Sequence, residues 1–80
     1  MQDEEKLFAA SFAQLGAKIT YYRHLRQIKQ IDLAYEAGIS EQYLSRIERG
    51  RQATGLTLLT LLRLADTLGV SIVDLLGDKK

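Results

Sequence analysis

Residues 30–50 read QIDLAYEAGISEQYLSRIERG, and this stretch decides the fold of the chain. It predicts two short helices, Gln30–Ala37 and Glu41–Arg49, joined by a turn of only a few residues. Gly38 ends the first helix because the chain needs a residue there that tolerates a positive φ, and Ser40 caps the second through its hydroxyl oxygen. Two helices joined so tightly indicate helix-turn-helix geometry.

The two predicted helices have apolar faces that can pack together. Ala34 is small enough for the helices to cross closely. The apolar contacts at the crossing are expected from Leu33, Ile39, Leu44 and Ile47. With about 100° of rotation per residue, Leu44 and Ile47 set the buried direction of the second helix. The opposite arc carries amide, hydroxyl and guanidinium groups, on Gln42, Ser45, Arg46 and Arg49.

These polar groups suit the edges of base pairs. A glutamine amide can pair bidentately with adenine and an arginine guanidinium with guanine, while either can also hold a phosphate. On an isolated helix the same side chains would be ordinary solvated surface. They acquire significance only from the helix-turn-helix around them.

The rest of the chain is also predicted to be helical, because apolar residues recur at three- and four-residue steps without sustained alternation. A first helix covers Leu15 to about Gln27, and its inward stripe is Leu15, Ile19, Tyr22 and Leu25. Its start is open between two alternatives. Ser11 and Gln14 form a candidate capping box, whereas residues 3–10 are also compatible with helix and could extend it backward.

After the polar loop at residues 51–55, a fourth helix runs from about Thr57 to Leu68 and ends at Gly69. Ser71 and Asp74 form a capping box that opens a last short helix through Leu76. We divide the chain into an N-terminal helical extension (residues 1–14), a helix-turn-helix domain (residues 15–76) and a C-terminal tail (residues 77–80).

The composition argues against catalysis. None of the 80 residues is a cysteine, which excludes a disulfide scaffold, a thiol nucleophile and a cysteine-ligated metal. The single histidine, His24, cannot build a metal site unaided. No phosphate-binding glycine loop or nucleophile motif is present, so we expect no enzyme, metal, cofactor or small-molecule site.

No apolar run reaches the ~18 residues of a membrane span, and the acidic start is unlike an export signal. A cytoplasmic protein without membrane contact is expected.

Positive charge is concentrated around the helix-turn-helix. The chain has a net charge of +1, but residues 18–51 hold seven bases and four acids, a net +3, so the remainder carries −2. This asymmetry favours a polyanionic partner at the motif.

The pattern of residues resembles the lambda-repressor-like helix-turn-helix domain, of the Cro/CI type or XRE family. The resemblance covers roughly residues 15–76 and rests on three central motifs, Gln30-x-x-Leu33-Ala34, Gly38-Ile39-Ser40 and Leu44-Ser45-x-Ile47-Glu48-x-Gly50. Flanking matches are Leu15-Gly16-x-x-Ile19, Arg23 and Leu64-Ala65-x-x-Leu68-Gly69-Val70-Ser71. The resemblance implies an all-α, five-helix domain that binds duplex DNA with its third helix in the major groove. The implied function is a sequence-specific transcriptional regulator, a repressor that occupies its operator as a dimer.

The resemblance also implies roles for single residues. The DNA-contacting set is Gln30, Glu41, Gln42, Tyr43, Ser45, Arg46, Arg49 and Arg51. Those expected at base edges are Gln42, Tyr43 and Arg46. Gln30 would hold a phosphate and brace the third helix, while Arg49 and Arg51, with the amides after Gly50, would hold further phosphates. Glu41 could accept a hydrogen bond from cytosine N4 or repel phosphates and so discriminate against wrong sites.

Arg23 and Glu48 are implied to form a structural ion pair, because Glu48 lies beside the buried direction and family members pair these positions.

The chain departs from the family in two places. The stretch from Gly50 to Ala65 is about two residues longer and lacks proline, which leaves phosphate contacts from this loop open. Lys29 stands where a Ser or Thr usually caps the second helix.

Apolar residues stand where the family usually carries polar ones, at Leu59 and Val73, with Leu62 and Leu76 near them. This patch is the predicted interface of a homodimer that presents two recognition helices about one DNA turn apart. The N-terminal residues Leu7, Phe8 and Phe12 could serve instead, or could cover the core. Two other functions stay open: an antitoxin that also binds a toxin protein, and a protein-interaction module on the same fold.

Overall fold

A computed structural model describes residues 4–51 and 56–77 of the chain. In these ranges the regular structure is helical and no strand occurs, which confirms the all-α prediction. The helices are α1 (Glu4–Leu7), α2 (Ala9–Leu25), α3 (Gln30–Ala37), α4 (Glu41–Glu48), α5 (Leu58–Leu68) and α6 (Ile72–Leu76). The five predicted helices are α2 to α6, and α1 belongs to the predicted extension. Most of the predicted loop (residues 52–55) and of the tail (residues 78–80) lies outside the described residues.

The start of α2 distinguishes between the two alternatives that the sequence left open. The helix begins at Ala9, so Ser11 lies inside it and the capping box with Gln14 is wrong. Backward extension is the correct alternative. The helix crosses the predicted boundary between residues 14 and 15, and the extension and the domain therefore share one helix.

The inward stripe of α2 is shorter than predicted. Leu15 and Ile19 are buried and Tyr22 packs against the core, but the Leu25 side chain is 54% exposed. Its inclusion in the stripe was wrong. At about 100° per residue, Leu25 lies about 80° from the direction of Leu15, which places it at the edge of the buried face.

The end of α2 is set by Gln27, which adopts a φ of 58° in the left-handed region. The Gln27 N–H donates to the His24 carbonyl and the Ile28 N–H to the Arg23 carbonyl, both at 3.0 Å. This is the Schellman arrangement, which glycine usually closes. The Schellman turn thus ends the helix two residues before its predicted end. The sequence did not predict this end because no glycine marks the turn.

The helix-turn-helix unit has the predicted local structure. Gly38 closes α3 with a φ of 74°, and the Ser40 hydroxyl accepts a hydrogen bond from the Tyr43 N–H at 3.0 Å. Lys29 makes no side-chain capping bond, yet α3 still begins at Gln30. α4 ends at Glu48, one residue before the prediction.

The helices pack around one apolar core, in which α3 lies against α4 and α5 while α2 lies against α4 and α6. Buried apolar side chains fill it, from Leu15, Ile19, Leu33, Ala34, Ala37, Leu44, Ile47, Leu64, Ala65, Leu68 and Leu75. The predicted capping box of α6 is present, because the N–H of Ser71 and of Asp74 each donate to the other residue's side chain, at 2.9 and 3.2 Å. Among the described helices, none is long and apolar enough to cross a bilayer.

Candidate nucleic-acid interface

The outward face of α4 gathers the polar side chains that the helical wheel predicted. Leu44 and Ile47 are buried, so the opposite side of the helix faces solvent. Gln42, Arg46 and Arg49 are exposed and Ser45 is half-buried. These four residues line one shallow hollow of about 310 Å³. The hollow offers amide and guanidinium donors in the combination that base edges and phosphates accept.

Both guanidinium groups on this face have a neighbour on α4. The Arg46 guanidinium carbon lies 5.9 Å from the centroid of the Tyr43 ring. Arg49 Nη1 donates a hydrogen bond to the Ser45 hydroxyl, one helical turn earlier. An arginine has five N–H donors, so each side chain keeps most of them for a ligand.

Tyr43 is placed differently from the other predicted DNA contacts. Its ring packs against the core and is half-buried. Burial raises the pKa of the phenol, and the nearby Arg46 cation opposes that shift. Part of the ring therefore supports the domain, which the sequence did not predict.

The carboxylate of Glu48, the last residue of α4, joins the C-terminal end of this helix to α2 and α3. Arg23 donates to it from Nε at 2.8 Å and from Nη2 at 3.0 Å. Gln30 Nε2 and Thr20 Oγ1 each donate to Oε1 at 3.2 Å. The side chains of Arg23 and Glu48 are only 13% and 6% exposed. The Arg23–Glu48 pair is thus present and Gln30 is hydrogen-bonded to the last residue of α4. The contact of Thr20, one turn before Arg23, was not predicted from the sequence.

Gly16 is a second position whose role the sequence analysis missed. A Cβ atom on Gly16 would lie 2.3 Å from the Ile47 carbonyl oxygen and 2.8 Å from that of Glu48. α2 therefore touches the backbone of α4 directly. The available signal was a single glycine inside a helical pattern, which costs helix propensity and so indicates close packing.

The chain after α4 corrects one prediction about phosphate contacts. The Gly50 N–H donates to the Ile47 carbonyl at 3.0 Å and the Arg51 N–H to the Arg46 carbonyl at 2.9 Å. The first amide after Gly50 closes the helix and cannot hold a phosphate, so the prediction was wrong for that amide. The Arg51 side chain is exposed. The next amide lies outside the described residues.

Comparison with known proteins identifies this arrangement. A family model described as helix-turn-helix matches residues 19–75. The chain belongs to the XRE family of helix-turn-helix regulators. The family match and the curated relatives, which are named HTH-type transcriptional regulators, support the prediction that the chain is a regulator and not an enzyme. The match to this family also confirms the resemblance that the sequence motifs indicated.

Individual proteins of the XRE type are similar over most of the chain. The uncharacterized HTH-type transcriptional regulator y4dJ of Sinorhizobium fredii is 40% identical over 73 residues, 91% of this chain and 83% of that protein. The N-terminal DNA binding domain of SinR from Bacillus subtilis superposes with a TM-score of 0.75 and 34% identity, covering 84% and 96% of the two chains. A SinR structure in complex with DNA gives a TM-score of 0.70 and 35% identity over 78% and 97%.

The apolar residues of α5 and α6 that the sequence predicted as a dimer interface are exposed in this XRE domain. The side chains of Leu59, Leu62, Val73 and Leu76 are between 45% and 68% exposed. The alternative N-terminal patch is also accessible, because Leu7 and Phe8 are about half exposed, while Phe12 is half-buried.

Proposed function

We propose that the chain binds specific sequences of duplex DNA, with α4 in the major groove, and represses transcription in the cytoplasm by occupying an operator. The supporting observation is the hollow formed by four polar side chains on α4, a helix whose opposite side is held by contacts with α2 and α3. The Glu48 hydrogen bonds and the contact at Gly16 hold α4 in place. Sites on rigid elements keep the donor geometry that base recognition requires.

Within this proposal, the side chains divide by what they contact. Gln42 and Arg46 read base edges, since both are exposed and line the hollow. Arg49 and Arg51 hold phosphates at the C-terminal end of α4. Gln30 contributes a phosphate contact through the second N–H of its amide, because one N–H is used by Glu48. Glu41, exposed at the first position of α4, discriminates against sites that present a phosphate or an acceptor there.

The first test compares specific and random DNA. A duplex recovered by selection from a random-sequence pool serves as the specific site. We expect Arg46→Ala and Gln42→Ala each to lose ~1 to 3 kcal/mol on this duplex and to relax its sequence preference, whereas Arg51→Ala weakens specific and random duplexes alike. Fluorescence anisotropy over a salt series measures both, and Arg51→Ala lowers the salt slope by about one.

Two outcomes would contradict the proposal. If wild-type affinity for every duplex is independent of salt, the chain does not neutralise phosphates and DNA binding is refuted. If all three variants lose the same affinity on specific and random duplexes, the division into base and phosphate contacts is wrong.

We further propose that two copies associate through the exposed apolar residues of α5 and α6, because a single helix-turn-helix unit reads few base pairs. The twofold arrangement would place the two α4 helices about 34 Å apart, one turn of DNA. We expect the double variant Leu59→Lys, Val73→Lys to convert a dimer into a monomer, measured by light scattering at micromolar concentration. The matched control is Leu7→Lys, which adds a lysine at an equally exposed N-terminal leucine. A wild-type monomer, or dissociation only by the control, would overturn this interface.

A further inference from the structure

We propose that Tyr43 and Ser45 are positioning residues, which hold the Arg46 and Arg49 guanidinium groups in place on α4 before DNA arrives. This inference rests on the proposed function, since it assigns how the same surface achieves its specificity. It changes the role that the sequence gave to both residues, which was direct contact with DNA.

The first supporting observation is that Tyr43 is itself held firmly. Its ring packs against the apolar core, and its backbone N–H is bound to the Ser40 hydroxyl in the cap of α4. Packing against the core restricts the orientation of the half-buried ring, and the cap bond fixes the backbone from which the ring projects. The phenol is neutral at pH 7, as an ordinary tyrosine is, and burial raises its pKa further, so the ring carries no charge that would repel DNA.

The second observation is the place of Arg46 relative to that ring. Arg46 is exposed, but its guanidinium carbon lies 5.9 Å from the ring centroid, within the range of a cation–π contact. Tyr43 and Arg46 are three residues apart on the helix, so they share one face. The contact favours one arrangement of a side chain that is otherwise free in solvent.

The third observation is a second pair of this kind, between Ser45 in α4 and Arg49 directly after the last residue of α4. Ser45 is half-buried and its hydroxyl accepts a hydrogen bond from Arg49 Nη1, four residues later. Both arginines line the hollow, together with Gln42 and Ser45. Because long side chains lose rotamer freedom when they bind, arginines that are already ordered lose less of it, and affinity and specificity rise.

The decisive experiment is a double-mutant cycle on the selected duplex. Tyr43→Leu keeps an apolar group against the core but removes the π face, and Tyr43→Phe keeps both. We expect Tyr43→Leu to weaken specific binding about two- to fivefold and Tyr43→Phe to have no effect. In the Arg46→Ala background, Tyr43→Leu should leave the affinity for the selected duplex unchanged. Ser45→Ala should show the same dependence on Arg49.

A second measurement tests the inference without DNA. Side-chain relaxation of the Arg46 Nε–H, measured by NMR on the free protein, should show greater mobility in Tyr43→Leu and wild-type order in Tyr43→Phe. Thermal unfolding of each variant establishes that the measurements are made on folded protein. A merely structural role for Tyr43 would lower stability without this dependence on the aromatic ring.

The outcomes separate this inference from the proposed function. If Tyr43→Leu still weakens binding in the Arg46→Ala background, Tyr43 contacts DNA itself and the positioning role is refuted while DNA binding stands. If Arg46 is equally mobile in all three proteins, the role is refuted again. If wild type binds no duplex but Arg46 is ordered by the ring, the proposed function fails and the positioning contact stands.

Discussion

We expect Gly16→Ala to lower the free energy of unfolding by about 3 kcal/mol, at the upper end of the usual range for overpacking. The new Cβ would lie 2.3 Å from the Ile47 carbonyl oxygen, and 2.8 Å from that of Glu48. Both atoms belong to backbone, which cannot rotate away as a side chain can. α2 and α4 must therefore separate, and they lose buried contacts along the whole crossing.

The sign of this effect is informative, because intrinsic helix propensity predicts the opposite. In an exposed helix, replacing glycine with alanine stabilises by about 1 kcal/mol. Urea unfolding followed by circular dichroism measures the change. The matched control is Ala17→Ser, which also adds one heavy atom to α2 but at an exposed position, and should cost about 0.5 kcal/mol. A Gly16→Ala protein as stable as wild type would refute the close approach of the two helices.

The second large effect is expected from Glu48→Ala, which should lower the free energy of unfolding by about 3 kcal/mol. Removing one partner of a buried ion pair typically costs about 3–5 kcal/mol, because the other charge remains buried and unpaired. The Arg23 side chain is 13% exposed and would keep only its hydrogen bond to the Ile28 carbonyl and its contact with His24. Slight exposure of both partners places the expected cost at the lower end of that range.

The control for charge alone is Glu41→Ala on the same helix. Glu41 is exposed at the start of α4, where an acid gains only from the helix dipole, about 0.3–1 kcal/mol. Chemical denaturation of both variants compares the two acids directly. Equal losses would show that the part-buried hydrogen bonds of Glu48 contribute nothing beyond its charge. Glu48→Ala should also weaken specific DNA binding, since α4 loses one of its attachments to α2 and α3.

The sequence predicted best those features that depend on near neighbours in the chain. Gly38, Ser40 and the Ser71–Asp74 capping box each act over a few residues, and all three have the predicted local structure. It failed where a local signal was ambiguous or missing. Ser11 fits a cap equally well whether or not the helix continues through it, and Gln27 takes a left-handed conformation without glycine.

Within the candidate site, the sequence placed the side chains on the correct face but not their contacts with one another. The exposed arc of α4 follows from helical rotation alone. The packing of Tyr43 against the core, and the contacts that Arg46 and Arg49 make with their neighbours, depend on side-chain conformations that rotation does not specify. The use of the Arg51 amide to close the helix also depends on the backbone path after Gly50.

The sequence by itself determined that this chain is helical, where most of its helices begin and end, and which face of α4 is polar, because periodicity and capping are local properties. Only the tertiary structure decided that Gly16 is a contact point and that Glu48 collects hydrogen bonds from Thr20, Arg23 and Gln30. These residues are up to 32 positions apart, between Gly16 and Glu48. Their distances depend on how the helices cross, which is set by the packing of the whole core.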